Sequence, residues 1–272
     1  MGVVNVTPDS FSDGGEWFTP DAALRHGLSL IAEGADILDV GGESTRPGAE
    51  RVPEGEELRR VIPVIREFTA RGVPVSVDTT RAAVAQAAVE AGAVIINDVS
   101  GGLADPEIHQ VVARTGVVYV AMHWRGHADV MDRLAHYDDV VTDVRTELAQ
   151  RVTELRAAGV ADHQIVLDPG LGFAKPGSAN WPLLARLDEL LADGFPVLVG
   201  ASRKRFLGHL LAGADGQPAA PLERDRATAA ISALAAAAGA WCVRVHEAQG
   251  TADAVRVASA WTGARNVGED AR

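Results

Sequence analysis

The 272-residue sequence has a single cysteine, few aromatic residues and a deficit of positive charge. Cys242 has no second cysteine with which to form an internal disulfide, which agrees with a reducing compartment, and we expect a cytoplasmic location. The 25 Lys and Arg residues are outnumbered by 37 Asp and Glu residues, giving a net charge of −12. Because nucleic acids and anionic membranes would repel such a chain, we expect neither as a partner.

Long apolar runs are also missing. The least polar stretch is Ala-rich and covers only residues 229–243, which is too short for a membrane-spanning helix. No basic segment followed by an apolar one occurs near the amino terminus, so we expect no signal peptide. Apolar residues nevertheless make up 47% of the chain. This fraction is ordinary for a packed globular protein and too high for a disordered one.

The sequence does contain a repeated unit, in which a short apolar run ends in a polar residue and is followed by a loop and helical spacing. Such continuous runs predict parallel strands that are buried on both faces. The eight closing residues are Asn5, Asp39, Asp78, Asn97, His123, Asp168, Ser202 and His246. Eight helical segments alternate with the runs, the sixth of them predicted as one helix over residues 180–192. This alternation predicts an α/β fold, a single-domain (β/α)8 TIM barrel over residues 1–272. An open doubly wound sheet is the alternative, but it does not require eight alternating strands.

The active site of such a barrel lies at the C-terminal ends of the strands, so the closing residues predict a polar ring at one mouth. Asp78 and Asp168 would end buried strands, where a carboxylate is costly without hydrogen-bond donors. A heterocycle with adjacent N–H and NH₂ groups could supply those donors, and loop N–H groups are the alternative. Asn97 offers a donor and an acceptor to the same kind of ring edge.

Positive charge is concentrated at the same predicted mouth of an acidic chain. This pattern predicts an anionic substrate, with solvated surface charge as the alternative, particularly for Arg203 and Arg205. The cationic or potentially cationic residues are Arg46, Arg203, Lys204, Arg205, Arg244 and His246.

Eight segments carry a resemblance to a known family. They are NVTPDSFSDGG (5–15), GGESTRPG (41–48), VSVDTTR (75–81), NDVSGG (97–102), MHWRG (122–126), LDPGLGF (167–173), GASRKRFLG (200–208) and RVHE (244–247). Together they resemble dihydropteroate synthase of folate biosynthesis and cover all eight predicted strands in order. The set is highly specific, although no single segment is. The HWR spelling and the Ala-rich helices are similar to the actinobacterial branch.

The resemblance implies a transferase that condenses 6-hydroxymethyl-7,8-dihydropterin diphosphate with 4-aminobenzoate. The products would be 7,8-dihydropteroate and diphosphate, with Mg²⁺ as cofactor. The family is taken to react by an SN1-like path, in which diphosphate leaves before the arylamine attacks. The resemblance also implies a homodimer and a target of sulfonamides.

Site residues follow from the resemblance position by position. For the pterin it implies Asp78, Asn97, Met122, Asp168, Phe173 and Lys204. For the diphosphate it implies Asn5, Thr45, Arg46, Arg244 and His246, with Asn5 as the Mg²⁺ ligand. For 4-aminobenzoate it implies Phe11, Pro47, Ser202 and Lys204. The residues expected to carry the catalysis are Asp78, Asp168, Lys204, Arg244 and His246.

Two other functions stay open at the level of the sequence. A pterin-dependent methyltransferase shares the barrel and the pterin-holding Asp and Asn residues. It would, however, lack the two long loops at residues 5–15 and 41–48 and the Ser202-Arg203-Lys204 segment. A non-catalytic paralogue that only binds pterin is the second alternative, and the intact loop at residues 5–15 disfavours it.

Overall fold

The computed structural model describes residues 1–7, 20–43, 51–127, 130–175 and 177–266 of the chain. Within them, eight short strands follow one another in the predicted order. They are β1 Gly2–Asn5, β2 Leu38–Gly41, β3 Val75–Asp78, β4 Ile95–Asp98, β5 Val118–Met122, β6 Ile165–Asp168, β7 Leu198–Val199 and β8 Cys242–Val243. Every paired neighbour is parallel.

The strands close into a ring. Strands β1 to β6 form one sheet in chain order, and β7 pairs with β8. Single parallel bridges join the two pieces, between Leu167 and Val197 on one side and between Gly2 and Val245 on the other. At the second junction the amide of Val3 donates a hydrogen bond of 2.9 Å to the carbonyl of Val245. The predicted α/β barrel is therefore confirmed.

Helices connect the strands and cover them with apolar stripes. In the second helix, Val61, Val64, Ile65 and Phe68 recur at helical spacing and are all fully buried. The helices are α1 Pro20–Ala32, α2 Glu54–Ala70, α3 Ala82–Glu90, α4 Ile108–Thr115, α5 Val140–Ala157, α6 Asn180–Ala185, α7 Leu187–Leu191, α8 Arg205–Leu210, α9 Asp225–Ala238 and α10 Gln249–Asn266. None of the helices in this described part of the chain is both long and apolar enough to cross a lipid bilayer.

Several element boundaries differ from the sequence prediction. Strand β4 runs one residue past Asn97 to Asp98, β5 ends one residue before His123, and β7 ends at Val199, three residues before Ser202. Strand β2 continues to Gly41, so Asp39 lies inside the strand instead of closing it. Strand β8 ends at Val243, so His246 lies three residues beyond the strand instead of ending it. The single helix predicted over residues 180–192 is two helices, α6 and α7, because the backbone leaves helical geometry at Arg186 (φ −113°, ψ 34°).

The inside of the barrel has its own small apolar cluster. Ile95, Val120, Val166 and Leu198, from four successive strands, pack there with Met1. Side chains alternate along a strand, so residues two positions further on face the same interior. This places Asn97, Met122 and Asp168 above the apolar layer, at the C-terminal mouth. The larger apolar cluster lies between the strands and the helices.

Candidate active site

Four polar side chains from β2, β3, β4 and the segment after β8 meet inside the mouth of the barrel. Arg244 donates from Nε to Oδ2 of Asp39 at 2.6 Å and from a terminal nitrogen to Oδ2 of Asp78 at 2.7 Å. The amide nitrogen of Asn97 donates to the same oxygen of Asp39 at 2.9 Å. Asp39 is fully buried, while Asp78 and Asn97 are 9% and 3% exposed. The barrel thus encloses two carboxylates that share one guanidinium.

Burial dominates the electrostatics of this group. It raises the pKa of Asp78 to about 7, against the lowering effect of Arg244. Burial alone would lower the pKa of Arg244, but the charges of Asp39 and Asp78 raise it above its usual value. Arg244 therefore stays cationic, whereas Asp78 can exchange a proton near neutral pH. Sequence reasoning placed Arg244 at the diphosphate, and the structure places its guanidinium between the two carboxylates.

Asp168 and Lys204 face each other across the next part of the mouth. A Cβ atom added to Gly200 would lie 3.8 Å from both Oδ2 of Asp168 and Nζ of Lys204. Burial raises the pKa of Asp168, opposed by Lys204 and by the amide of Gly170, which donates to Oδ1 at 2.7 Å. Burial also lowers the pKa of Lys204 to about 8, opposed by Asp168. A carboxylate acceptor and an ammonium donor are therefore presented side by side.

The loop after β6 covers this pair. The ammonium of Lys204 donates to the carbonyl of Leu171 and lies 4.8 Å from the centre of the Phe173 ring. Three of the loop's residues adopt left-handed backbone angles: Gly170 (φ 68°), Gly172 (φ 77°) and Ala174 (φ 48°). At Gly170 a Cβ atom would clash with the carbonyl oxygen of His123, so only glycine fits there.

A buried lysine fixes that loop. Lys175, 4% exposed, donates to the carbonyls of Gly170 and Phe173 at 3.0 Å each and to Nδ1 of His123 at 2.9 Å. Nε2 of His123 in turn donates to Glu147 at 2.9 Å. Burial and the charge of Lys175 lower the pKa of His123 to about 4. The imidazole is therefore neutral and carries its proton on Nε2.

Burial and the charged neighbours at either end set the pKa values of Glu147 and Lys175 in this chain of contacts. Burial would raise the pKa of Glu147, but hydrogen bonds from His123 and Arg125 lower it to about 2. Burial lowers the pKa of Lys175 to about 7, while Asp168 opposes that shift. Burial raises the pKa of Asp168, and the charge of Lys175 is one of the contributions that oppose this rise. The network therefore fixes the loop next to Asp168 and adds a positive charge near that carboxylate.

In the segments that follow β7 and β8, Ser202 and His246 are paired. The hydroxyl oxygen of Ser202 accepts from the amide of His246 at 3.1 Å and lies 2.9 Å from its Nδ1. Ser202 is buried and His246 is half-buried. Met122, at the end of β5, is 3% exposed and lies against Gly170. These three positions belong to the same mouth as the carboxylates.

Several implied site residues lie outside the described residues, namely Phe11, Thr45, Arg46 and Pro47. Asn5 is described: it ends β1, is half-buried, and stands in register with Gly41, which is in register with Asp78. Its amide oxygen is a ligand type that Mg²⁺ accepts. No group of three His, Cys, Asp or Glu residues in the described ranges could hold a metal. A single amide oxygen, that of Asn5, fits an ion that takes most of its ligands from phosphate and water.

The structure corrects two details of the predicted polar ring and its cations. His123 points to Lys175 and Glu147 beneath the loop instead of into the mouth. Arg203 is paired with Asp225 at 2.7 Å, and Arg205 is exposed. Among the predicted cations that the structure describes, Lys204 and Arg244 are the two whose charged groups contact the carboxylates of the mouth or the loop over them.

Sequence reasoning assigned no role to three residues that support the site: Asp39, Glu147 and Lys175. Asp39 was recognised only as one more polar strand residue. A signal was available for it, since an acidic residue within a strand buried on both faces requires partners. Lys175 and Glu147 gave no comparable signal, because lysine after a glycine-rich loop and glutamate on a helix are ordinary surface patterns.

These features define a barrel enzyme whose mouth is built to hold a polar heterocycle with several hydrogen-bond donors. Comparison with known proteins gives the family. Residues 1–246 match the family described as "Pterin binding enzyme", and the chain belongs to that family. The dihydropteroate synthase of Mycobacterium leprae is 56% identical over 262 residues, covering 96% of this chain and 92% of the relative.

Solved structures agree in fold. The dihydropteroate synthase of Xanthomonas albilineans with 4-aminobenzoic acid has a TM-score of 0.86 at 48% identity, covering 95% of this chain and 91% of that one. The same protein in complex with 7,8-dihydropteroate has a TM-score of 0.83 at 45% identity, with the same coverage. The Yersinia pestis dihydropteroate synthase in a sulfonamide drug complex has a TM-score of 0.89 at 41% identity, covering 96% of this chain and 93% of that one.

Proposed function

We infer that this chain catalyses the dihydropteroate synthase reaction. It transfers the pterin-methyl group of 6-hydroxymethyl-7,8-dihydropterin diphosphate to 4-aminobenzoate, giving 7,8-dihydropteroate and diphosphate. The carbon–oxygen bond to diphosphate breaks with its electron pair going to the diphosphate. A carbon–nitrogen bond then forms from the lone pair of the arylamine, which loses a proton. The family match and the relatives with 4-aminobenzoic acid or 7,8-dihydropteroate bound support this function.

One geometric observation carries the assignment: Asp78, Asn97 and Asp168 converge in one buried mouth with the ammonium of Lys204 beside Asp168. A pterin edge presents an NH₂ group, a ring N–H and a carbonyl oxygen next to one another. The carboxylates match the donors and the ammonium matches the carbonyl. The same motif positions are those for which the family resemblance implies pterin binding.

The chain's residues would act mainly by electrostatics and orientation. Breaking the bond to diphosphate leaves positive charge on the dihydropterin, and the carboxylates of Asp78 and Asp168 stabilise it. Met122 and Phe173 would pack on the ring and exclude water. His246, positioned by Ser202, and Arg244 would attract the leaving diphosphate. The weakly basic arylamine needs no strong general base to attack such a cation.

Mg²⁺ is part of the proposal. Asn5 would hold it together with oxygens of the diphosphate, a set that agrees with the few protein ligands this ion usually takes. When bound, the ion would neutralise charge on the leaving group. Thr45 and Arg46 complete the proposed diphosphate site, and Phe11, Pro47, Ser202 and Lys204 the proposed 4-aminobenzoate site. These assignments of the metal ligand, the diphosphate site and the 4-aminobenzoate site remain predictions from the resemblance.

A homodimer and a cytoplasmic location also remain predictions. The outer helices α9 and α10 carry exposed apolar side chains, Leu234 (72%), Val257 (65%) and Trp261 (65%). Such a surface supports contact with a second copy of the chain. Sedimentation of the purified protein over a range of concentrations tests the dimer, and a mass equal to one chain throughout would contradict it.

Different observations separate the two alternatives from the proposed function: the comparisons for the methyltransferase and calorimetry for the binding-only paralogue. The matches to dihydropteroate synthases along nearly the whole chain do not favour a methyltransferase. A binding-only paralogue would give the same heat when the pterin diphosphate is added with or without 4-aminobenzoate. The proposed enzyme gives a simple binding heat with the pterin diphosphate alone. It gives a sustained turnover heat once 4-aminobenzoate is present, and absence of that heat would refute the proposal.

A further inference from the structure

Asp39 has no assigned role, yet it contacts two residues of the proposed pterin site. It lies in β2 with its side chain fully buried beneath the mouth. Its Oδ2 atom accepts from the amide nitrogen of Asn97 at 2.9 Å and from Nε of Arg244 at 2.6 Å. The two partners come from either side of β2, from β4 and from the segment after β8. One carboxylate oxygen therefore fixes two side chains of the mouth.

The chemistry of this contact determines which half of the Asn97 amide faces Asp39. A carboxylate can only accept hydrogen bonds, and the same Oδ2 atom also accepts from Nε of Arg244. The NH₂ half of the amide must therefore point to Asp39. Among the described residues, Oδ1 of Asn97 accepts no hydrogen bond, and it is not sealed from solvent. The amide is thus left with an acceptor for a ligand.

This orientation decides whether Asn97 presents a hydrogen-bond donor or an acceptor to a ligand. By itself an asparagine can pair with either a donor or an acceptor, because its amide can turn over. With the NH₂ group held by Asp39, Asn97 presents oxygen only. Asp78 and Asp168 also present oxygen, so three acceptors face the ligand and Lys204 is the separate donor. A heterocycle with an amino group fits this arrangement better than one with a carbonyl group in the same place.

We propose that Asp39 is a specificity-determining, positioning residue: by holding the amide of Asn97 in one orientation it makes the site select a 2-amino heterocycle over its 2-oxo counterpart. This inference rests on the proposed function, since it assumes that the pterin occupies the mouth. The simpler role, in which Asp39 only balances the charge of Arg244, makes a different prediction. Loss of its charge would then weaken all ligands alike, without changing the preference between them.

Two variants distinguish these roles. Asp39→Leu removes the acceptor and keeps the branched shape of the side chain, so the Asn97 amide is free to turn. Asp39→Asn removes the charge but keeps an oxygen that can accept from Asn97 and Arg244. The probes are 6-hydroxymethylpterin and 6-hydroxymethyllumazine, which differ by the 2-amino or 2-oxo group. The measured quantity is the ratio of their dissociation constants for each protein.

Asp39→Leu is expected to lower the preference for the pterin by about tenfold, the size of one mispaired buried hydrogen bond. Asp39→Asn is expected to keep the preference within about threefold of the unchanged protein. If Asp39→Leu does not fold, Asp39→Ser makes the same prediction, because the water it admits can donate as well as accept. An unchanged ratio in Asp39→Leu or Asp39→Ser, or an equal loss in Asp39→Asn, would overturn the inference.

The same titrations separate this inference from the proposed function. If the unchanged protein binds 6-hydroxymethylpterin and turns over its diphosphate, the proposed function stands whatever the variants do. Failure of the ratios to change then counts against the role of Asp39 alone. If the unchanged protein binds neither probe, both the proposed function and the role of Asp39 are wrong.

Discussion

Replacing Lys204 with methionine is expected to lower kcat/KM for the pterin diphosphate by at least about 100-fold without unfolding the protein. Methionine has a similar length and keeps the apolar stem, but it removes the ammonium group. That group faces Asp168 across Gly200 and lies 4.8 Å from the centre of the Phe173 ring. The variant therefore tests the charge while largely preserving the packing of the mouth.

The magnitude follows from two effects of the lost charge. A hydrogen bond from a charged donor contributes roughly 1.5–3 kcal/mol, and a 100-fold loss corresponds to about 2.7 kcal/mol. Lys204 is also the strongest of the influences that lower the pKa of Asp168 against its burial. Without it, Asp168 takes up a proton more readily and loses its value as an acceptor. Asp168→Asn is expected to cost a similar factor.

The assay is steady-state kinetics near pH 7, where Lys204, with a pKa of about 8, is mostly protonated. The matched control is Arg205→Met, which removes a positive charge from the next, exposed position. We expect the control to stay within about threefold of the unchanged protein. A folded Lys204→Met protein with activity in that same range would refute the assignment of Lys204 to the pterin site.

Three further outcomes are expected. Below pH 7, kcat/KM should fall about tenfold per pH unit as Asp78 (pKa about 7) is protonated, and above pH 8 it should fall again as Lys204 (pKa about 8) loses its proton. A kcat/KM that stays constant below pH 7 would contradict this. The pKa of Lys175 is about 7 in the folded protein and 10.5 when the side chain is not buried. Between pH 7 and pH 10.5 the unfolded chain therefore binds more protons than the folded one. Stability from this group therefore rises with pH there and is lost as pH falls towards 7. In Lys175→Met, urea unfolding should lose this dependence while pterin binding weakens about tenfold, and unchanged binding would contradict the positioning role. Lastly, the Gly- and Ser-rich sequence around Phe11 and Pro47 leads us to expect that 4-aminobenzoate binds detectably only with Mg²⁺ and diphosphate present, since fixing a residue's backbone costs roughly 1–2 kcal/mol. Equal affinity for 4-aminobenzoate with and without Mg²⁺ and diphosphate would contradict this.

The barrel was predictable because its signal is repeated. Each apolar run ends in a polar residue, and a parallel strand buried on both faces produces that pattern by itself. The alternation of side chains then accounts for the placement of Asn97, Met122 and Asp168 above the apolar layer. Boundaries were less predictable, since β8 has only two paired residues and the bridge between Gly2 and Val245 lies beyond its end.

The supporting contacts of the site were not predictable from spacing. Asp39 and Arg244 are separated by more than 200 positions in sequence, and they meet only because the ring closes between β8 and β1. The residues of one motif also have different structural roles. In NDVSGG, Asn97 faces the mouth, whereas Asp98 accepts from the amides of Ser100 and Gly102 and from the hydroxyl of Tyr119. Neighbouring residues of a motif can therefore serve the site and the turn separately.

The most direct test of the central claim is diphosphate release measured with each substrate alone and with both together. The account predicts release only when the pterin diphosphate and 4-aminobenzoate are both present, with one 7,8-dihydropteroate formed for each diphosphate released. Release that is independent of 4-aminobenzoate, or tight binding of the pterin diphosphate without any release, would contradict it.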